Sequence, residues 1–178
     1  EESFGYLPYD KVRDKDAPAS ICLICEIAAW AKDNGRTLYD LLMDIYKEYG
    51  FSKEFTVNVV KPGKTGADEI KQMMADFRAN PPKELGGSEI TLWKDYQSLE
   101  ATDENGNVTK IDMPTTSNVL QWFCNDGTKV SVRPSGTEPK IKFYIEVKDN
   151  TMKCAGCYER CCKAAEEKIE AIKKSLSL

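Results

Sequence analysis

The sequence predicts an α+β fold: an antiparallel sheet of about four strands with helices on one face, preceded by a mainly helical segment. Three observations carry this expectation. Apolar residues recur at helical spacing between Asp16 and Gly50; from Glu89 to Asp149 they alternate with polar ones between turn signals; and from Met152 helical spacing returns.

The elements follow in order. Asp16 and Pro18 lead into ASICLICEIAAWAKDNG, whose Ile21, Ile24, Cys25, Ala28 and Ala31 mark a helix ended by Gly35. Thr37 precedes LYDLLMDIYKEYG, a second amphipathic stripe of Leu38, Leu41, Leu42, Ile45 and Tyr49 closed by Gly50, and the two helices are expected to pack together. A composition change near Phe51 marks a domain boundary, giving residues 1–50 and 51–178. Phe55 to Val60 is rich in strand formers, PGKTG is a loop without the spacing of a phosphate-binding P-loop, and ADEIKQMMADFRANPP is a third helix stopped by paired prolines. EITLWKDYQSLEATD, the turn ENGN, NVLQWFCNDG, KVSVR and KIKFYIEVKD then read as strands in antiparallel succession. A long terminal helix carries Cys154, Cys157, Cys161, Ala165, Ile169 and Ile172 on one face, which should cover the sheet.

Composition narrows the function. The chain has 178 residues, 41% of them hydrophobic, enough for a substantial core. Its net charge of -4 and scattered aromatic residues argue against nucleic acid as a partner. No run of apolar residues is long enough to span a membrane. The opening EESFGYLPYD has neither a Met start nor a signal-peptide core, so a fragment of a longer protein is expected. Seven cysteines without a secretory signal point to reduced thiols in the cytoplasm. Cys22-x-x-Cys25 and CAGCYERCC fall at helical spacings, where thiols act as small hydrophobes, so no metal site is expected.

The stretch KVSVRPSGTEPKIKF, residues 129–143, holds the most chemistry. If Pro134 to Pro139 form the loop, Arg133 lies opposite Lys140 and Ser131 opposite Lys142. The apolar Val130, Val132, Ile141 and Phe143 then share one face, and the cations gather on the other. The prolines stiffen the loop, Gly136 lets the backbone approach a ligand, and Ser135 and Thr137 supply hydroxyl and amide donors. On these grounds the turn is either an anion nest with a bidentate Arg133 or a solvated hairpin whose cations keep a strand edge soluble.

RPSGTEPK closely resembles the phosphate-binding loop of the α-D-phosphohexomutases, the family of phosphoglucomutases and phosphomannomutases. EESFGYL is similar to that family's sugar-binding loop, with Phe4 where a Gly is usual, and VRDKDA at residues 12–17 resembles the segment that follows it. The resemblance covers the end of the third domain and all of the fourth, and implies a TATA-box-binding-protein-like fold for the latter. It implies interconversion of hexose phosphates, moving a phosphoryl group between C1 and C6 through a hexose bisphosphate. Phosphoserine and Mg2+ would be supplied by N-terminal domains, since a Thr-Ala-Ser-His-Asn segment and an Asp-x-Asp-Gly-Asp loop are both missing from the sequence. The chain alone is therefore expected to be inactive.

By matching position, Glu1 and Ser3 would bind sugar hydroxyls, and Arg13 and Lys15 would lie near substrate, Lys15 as an acid-base or phosphate contact. Arg133, Ser135, Gly136, Thr137 and Lys142 would hold the phosphate that is not being transferred, with Lys140 less directly implicated. The Glu-x-Ser form points to glucose or mannose phosphates over amino sugars, and SFGYL and RDKDA most resemble phosphoglucomutases and the related phosphopentomutase group. Two other readings compete: a stand-alone phosphosugar-binding or regulatory module, favoured if no phosphoserine loop lies upstream, and a metal-binding interaction domain, which would purify with zinc.

Overall fold

A computed structural model describes residues 6–63 and 65–178. Helix α1 (Ala17–Asp33) starts where the Asp16 carboxylate accepts from the Ala19 amide at 3.0 Å, with Pro18 in its first turn. Helix α2 (Leu38–Tyr49) begins with a reciprocal capping box: Thr37 Oγ1 accepts from the Asp40 amide, and the Asp40 carboxylate accepts from the Thr37 amide. The two helices pack together as the sequence predicts. Most of their apolar side chains nevertheless face solvent, among them Ile21, Ile24, Trp30, Leu42 and Ile45.

Gly50 turns the chain from α2 into strand β1 (Phe51–Val60) with a φ of 92°, and a Cβ there would lie 2.4 Å from Asn150 Oδ1. β1 begins four residues before the predicted β-rich run because Phe51 to Glu54 pair with Asp149 to Glu146. Helix α3 (Gly66–Ala79) follows, then β2 (Glu84–Leu85), β3 (Ser88–Asp95), β4 (Glu100–Asp103), β5 (Val108–Lys110), β6 (Leu120–Cys124), β7 (Lys129–Pro134) and β8 (Lys140–Asp149). The predicted ENGN turn joins β4 to β5, with Gly106 at a φ of 82°.

Among the described residues, all strand pairs are antiparallel, in the order β1-β8-β7-β6-β3-β4-β5, with β2 paired to β3. The expected antiparallel sheet is therefore present, with eight strands where about four were expected. EITLWKDYQSLEATD is two strands, folded at Tyr96–Leu99 with Leu99 in the left-handed region at a φ of 59°.

α3 and the terminal helix α4 (Tyr158–Ser175) cover the same face of the sheet. Ile70 and Met74 from α3 and Cys161, Ala165, Ile169 and Ile172 from α4 meet Leu120, Trp122, Val130, Val132, Ile141, Phe143 and Ile145. Each such aliphatic or aromatic side chain contributes about 1.5–3 kcal/mol by leaving water. The opposite sheet face is left open, and this positions the candidate site. No described helix is long and apolar enough to cross a membrane.

The terminal segment differs from the predicted helix at its start. A single 3-10 turn at Ala155–Cys157 precedes α4, so Cys154 lies outside the helix and is exposed, while Cys161 is buried in the core. Cys22 and Cys25 are also exposed, on the solvent side of α1. Thiols at helical spacing are thus core-facing only where a sheet lies beneath the helix.

Candidate functional site

Strict alternation builds the site. Val130 and Val132 on β7 and Ile141, Phe143 and Ile145 on β8 are buried, which sends Ser131, Arg133, Lys140, Lys142 and Tyr144 to the open face. The register differs by two residues from the one expected: Arg133 lies opposite Lys142, and Ser131 opposite Tyr144. Pro134 is the cause. It remains in the strand opposite Ile141, and the Ser135 amide donates to the Lys140 carbonyl at 2.8 Å in the next pair. Hydrogen-bonded and non-hydrogen-bonded pairs alternate, so Pro134 falls where no amide is needed towards β8. A shift of two preserves the faces, whereas a shift of one would bury the cations.

The loop beyond Ser135 is tied down at several points. The Thr137 amide donates to Ser135 Oγ at 3.4 Å, and the two hydroxyls lie 3.5 Å apart. The Lys61 amide donates to the Pro139 carbonyl at 2.9 Å, fastening the loop to the end of β1. Among the described residues, nothing lies within 4 Å of where a Gly136 Cβ would project.

Arg133, Ser135, Gly136, Thr137, Glu138, Lys140, Lys142 and Tyr144 line one open concavity of about 450 Å3. The Lys140 ammonium pairs with Glu138 at 2.6 Å. Its hydrogen bond holds the Glu138 carboxyl below the usual range, so the carboxylate offsets the charge of Lys140. The Arg133 guanidinium is exposed, and the Lys142 ammonium lies 5.7 Å from the centre of the Tyr144 ring. The site therefore offers a fork of guanidinium donors, two hydroxyls and an ammonium to a ligand approaching from the open face. Such a donor set suits a tetrahedral oxyanion.

Tyr144 and Glu138 were missed by the sequence reading. Alternation through KIKFYIEV places Tyr144 beside Lys140 and Lys142, so that signal was present. Arg13 and Lys15 are exposed in the segment before α1, and Lys15 contacts Asp14 at 3.2 Å. Neither residue lines the concavity. Glu1 and Ser3 lie outside the described residues. No group of three or more His, Cys, Asp or Glu side chains is placed to hold a metal ion among the described residues.

Comparison with known proteins then bears on this hairpin directly. The sequence profile of the "Phosphoglucomutase/phosphomannomutase, C-terminal domain" matches residues 95–155, a span that contains the whole concavity. Over 83% of the chain, phosphoglucomutases of Staphylococcus haemolyticus and Staphylococcus aureus strain MRSA252 are 35% and 38% identical. The chain belongs to the phosphoglucomutase/phosphomannomutase family. It spans 27% of the length of those two relatives.

The crystal structure of pp63/parafusin, a Paramecium phosphoglucomutase in its open form, superposes on 98% of this chain with a TM-score of 0.54 and 17% identity. The chain covers 30% of parafusin, and at that identity the likeness bears on fold alone. For a phosphoglucomutase/phosphomannomutase domain the arrangement is mixed α+β, with the basic loop at one hairpin tip and the helices on the far face of the sheet.

Proposed function

We propose that this chain is the sugar- and phosphate-binding end of a phosphosugar mutase that moves a phosphoryl group between C1 and C6 of a hexose through a bisphosphorylated intermediate. The observation that carries the reading is the convergence of Arg133, Ser135, Gly136, Thr137 and Lys142 on one concavity. In this reading Arg133 grips two oxygens of the phosphate that is not being transferred. Ser135 and Thr137 take the remaining oxygens, and Lys142 adds charge. Held in this way, the idle phosphate fixes the sugar so that the reactive phosphate points into the cleft, and binding energy remote from the chemistry serves positioning.

The residues described here offer no ligand set for Mg2+ and no matching phosphoserine segment. Both belong, in this reading, to domains N-terminal to the chain, with which it works as part of a longer cytoplasmic enzyme, and the isolated chain is inactive. Residues 1–50 are the end of the third domain and residues 51–178 the fourth. Glu1, Ser3, Arg13 and Lys15 contact the sugar or its phosphate, and hexose phosphate, not nucleic acid, is the partner.

The experiment that tests the site uses the 178-residue chain titrated with glucose 1,6-bisphosphate and with inorganic phosphate while backbone amides are followed by NMR. Binding is expected on the order of millimolar, because one cleft wall is present. The shifts should centre on Ser135, Gly136 and Thr137 and vanish in Arg133→Ala. Shifts spread over surface lysines, or none at the loop, overturn the assignment.

A further inference from the structure

We propose that Cys154 and Cys157 form a reversible intramolecular disulfide, a thiol-oxidation site distinct from the phosphate loop. Two features of the backbone create it. Cys154 is extended, with φ -149° and ψ 156°, and the 3-10 turn that follows returns the Cys157 amide to the Cys154 carbonyl at 3.0 Å. The two sulfurs are thereby brought 2.6 Å apart, with space for nothing larger than the shared thiol hydrogen between them. A Cβ on the intervening Gly156 would meet nothing within 4 Å, so the turn lies open to solvent.

Exposure separates this pair from the buried thiols. Cys154 is exposed and Cys157 half-buried, whereas Cys124 and Cys161 are buried. Burial pushes the Cys124 thiol up to about 11 and raises Cys161 as well, so neither presents much thiolate at neutral pH. Cys157 is shifted the other way, chiefly by the hydrogen bond from the Cys154 thiol and also by Arg160. Cys154 is raised by the same contact. Cys157 is also the N-cap of α4, where the positive end of the helix favours its thiolate, so it is the attacking thiol and Cys154 the resolving one.

With a peroxide as oxidant, the Cys157 thiolate attacks one oxygen, the O–O bond breaks, and sulfenic acid and hydroxide form. The Cys154 sulfur then attacks the sulfenyl sulfur. The S–O bond breaks, the S–S bond forms, and the departing oxygen leaves as water with the Cys154 proton. Two thiols lose two electrons and two hydrogens in total, and one hydrogen peroxide becomes two waters. An external dithiol reverses the change by exchange.

Tryptic cleavage suits the test, because Lys153 and Arg160 bound a peptide, residues 154–160, whose cysteines are this pair alone. The full chain is reduced, freed of reductant, exposed to one equivalent of hydrogen peroxide, alkylated and mapped by mass spectrometry. Peptide 154–160 is expected unalkylated and lighter by two hydrogens before peptides 16–32 and 161–163 change, and dithiothreitol should restore it. Its recovery with both thiols alkylated, while Cys22 and Cys25 or Cys161 and Cys162 are oxidised, overturns the proposal. Cys154→Ser should leave a sulfenic acid on Cys157 that dimedone traps. Cys157→Ser should slow peroxide consumption about tenfold or more. With circular dichroism unchanged in both variants, a dimedone adduct on Cys154 in the otherwise unaltered chain, or unslowed consumption in Cys157→Ser, overturns the assigned roles.

Discussion

Arg133 is exposed on the open face opposite Lys142, where its planar fork can meet two oxygens of one phosphate. Removing a charge-assisted pair of this kind costs about 1.5–3 kcal/mol. In a mutase containing this chain, Arg133→Ala should therefore lower kcat/KM by roughly a hundredfold while the thermal midpoint stays unchanged, since the side chain lies outside the core. Arg133→Lys should recover only part of the loss, because an ammonium cannot bond bidentately. Unaltered kinetics in the alanine variant would exclude the assigned role. These donors were legible in the sequence because a loop binding an anion through its own short hydroxyls is contiguous. Pairing across the hairpin was less so. Pro134 reads as a loop residue until the alternation of amide bonds shows that an edge pair tolerates it, and Glu138 reads as a loop residue until it neutralises Lys140.

At the scale of elements, the cross-links between helix and sheet depend on few groups. Gly66 opens α3 with its Cα so close to the Lys61 carbonyl that a Cβ would lie 1.8 Å from that oxygen. Gly66→Ala must displace the helix start, and a loss of about 2 kcal/mol or more in chemical unfolding is expected. Arg78 from α3 holds the buried Asp95 of β3 through Nε at 2.8 Å and Nη2 at 3.3 Å, and also reaches Asn118. Removing the guanidinium leaves a carboxylate in the protein with its main partner gone.

Lys168 of α4 reaches the Gly86 carbonyl, Ser88 and Asp126, clamping the β2–β3 turn and the β6–β7 turn to the helix. Burial pushes the Asp126 carboxyl up, but the Ser88 hydroxyl, the Thr128 amide and Lys168 together outweigh it and hold the carboxyl well below the usual range. A depressed carboxyl contributes stability above its unfolded value, near 3.9, and loses it as pH falls towards the folded value. Asp126→Asn should therefore destabilise at pH 7 and progressively less below about pH 4. An equal loss at pH 7 and pH 2 would show that charge is not the cause. None of these clamps was read from sequence. Each joins residues far apart in the chain, and β2, β4 and β5 are too short for alternation to register.

Across the whole molecule, burial is uneven. β6, β7 and β8 place every second residue in the core, whereas α1 buries only Ser20 and Ala31 among its own residues. α2 is held to the sheet by the buried Met43 and by rings: Tyr158 at the start of α4 meets Tyr39 at 5.9 Å, Tyr46 at 6.1 Å and Phe51 at 5.9 Å, and Tyr46 meets Phe51 at 5.0 Å. Aromatic pairs of this geometry contribute about 0.5–1.5 kcal/mol each beyond the area they bury. The helical segment should thus open without the sheet. In native-state hydrogen exchange, amides of β6 to β8 are expected to exchange only with global unfolding, and those of α1 and α2 at lower free energy. Tyr158→Ala should widen that gap. It removes three of the four ring contacts, so α2 protection should fall by roughly ten- to a hundredfold while the central strands lose far less. Equal losses in α2 and β7 would mean that helices and sheet unfold as one cooperative unit, and that the aromatic junction is part of a single core.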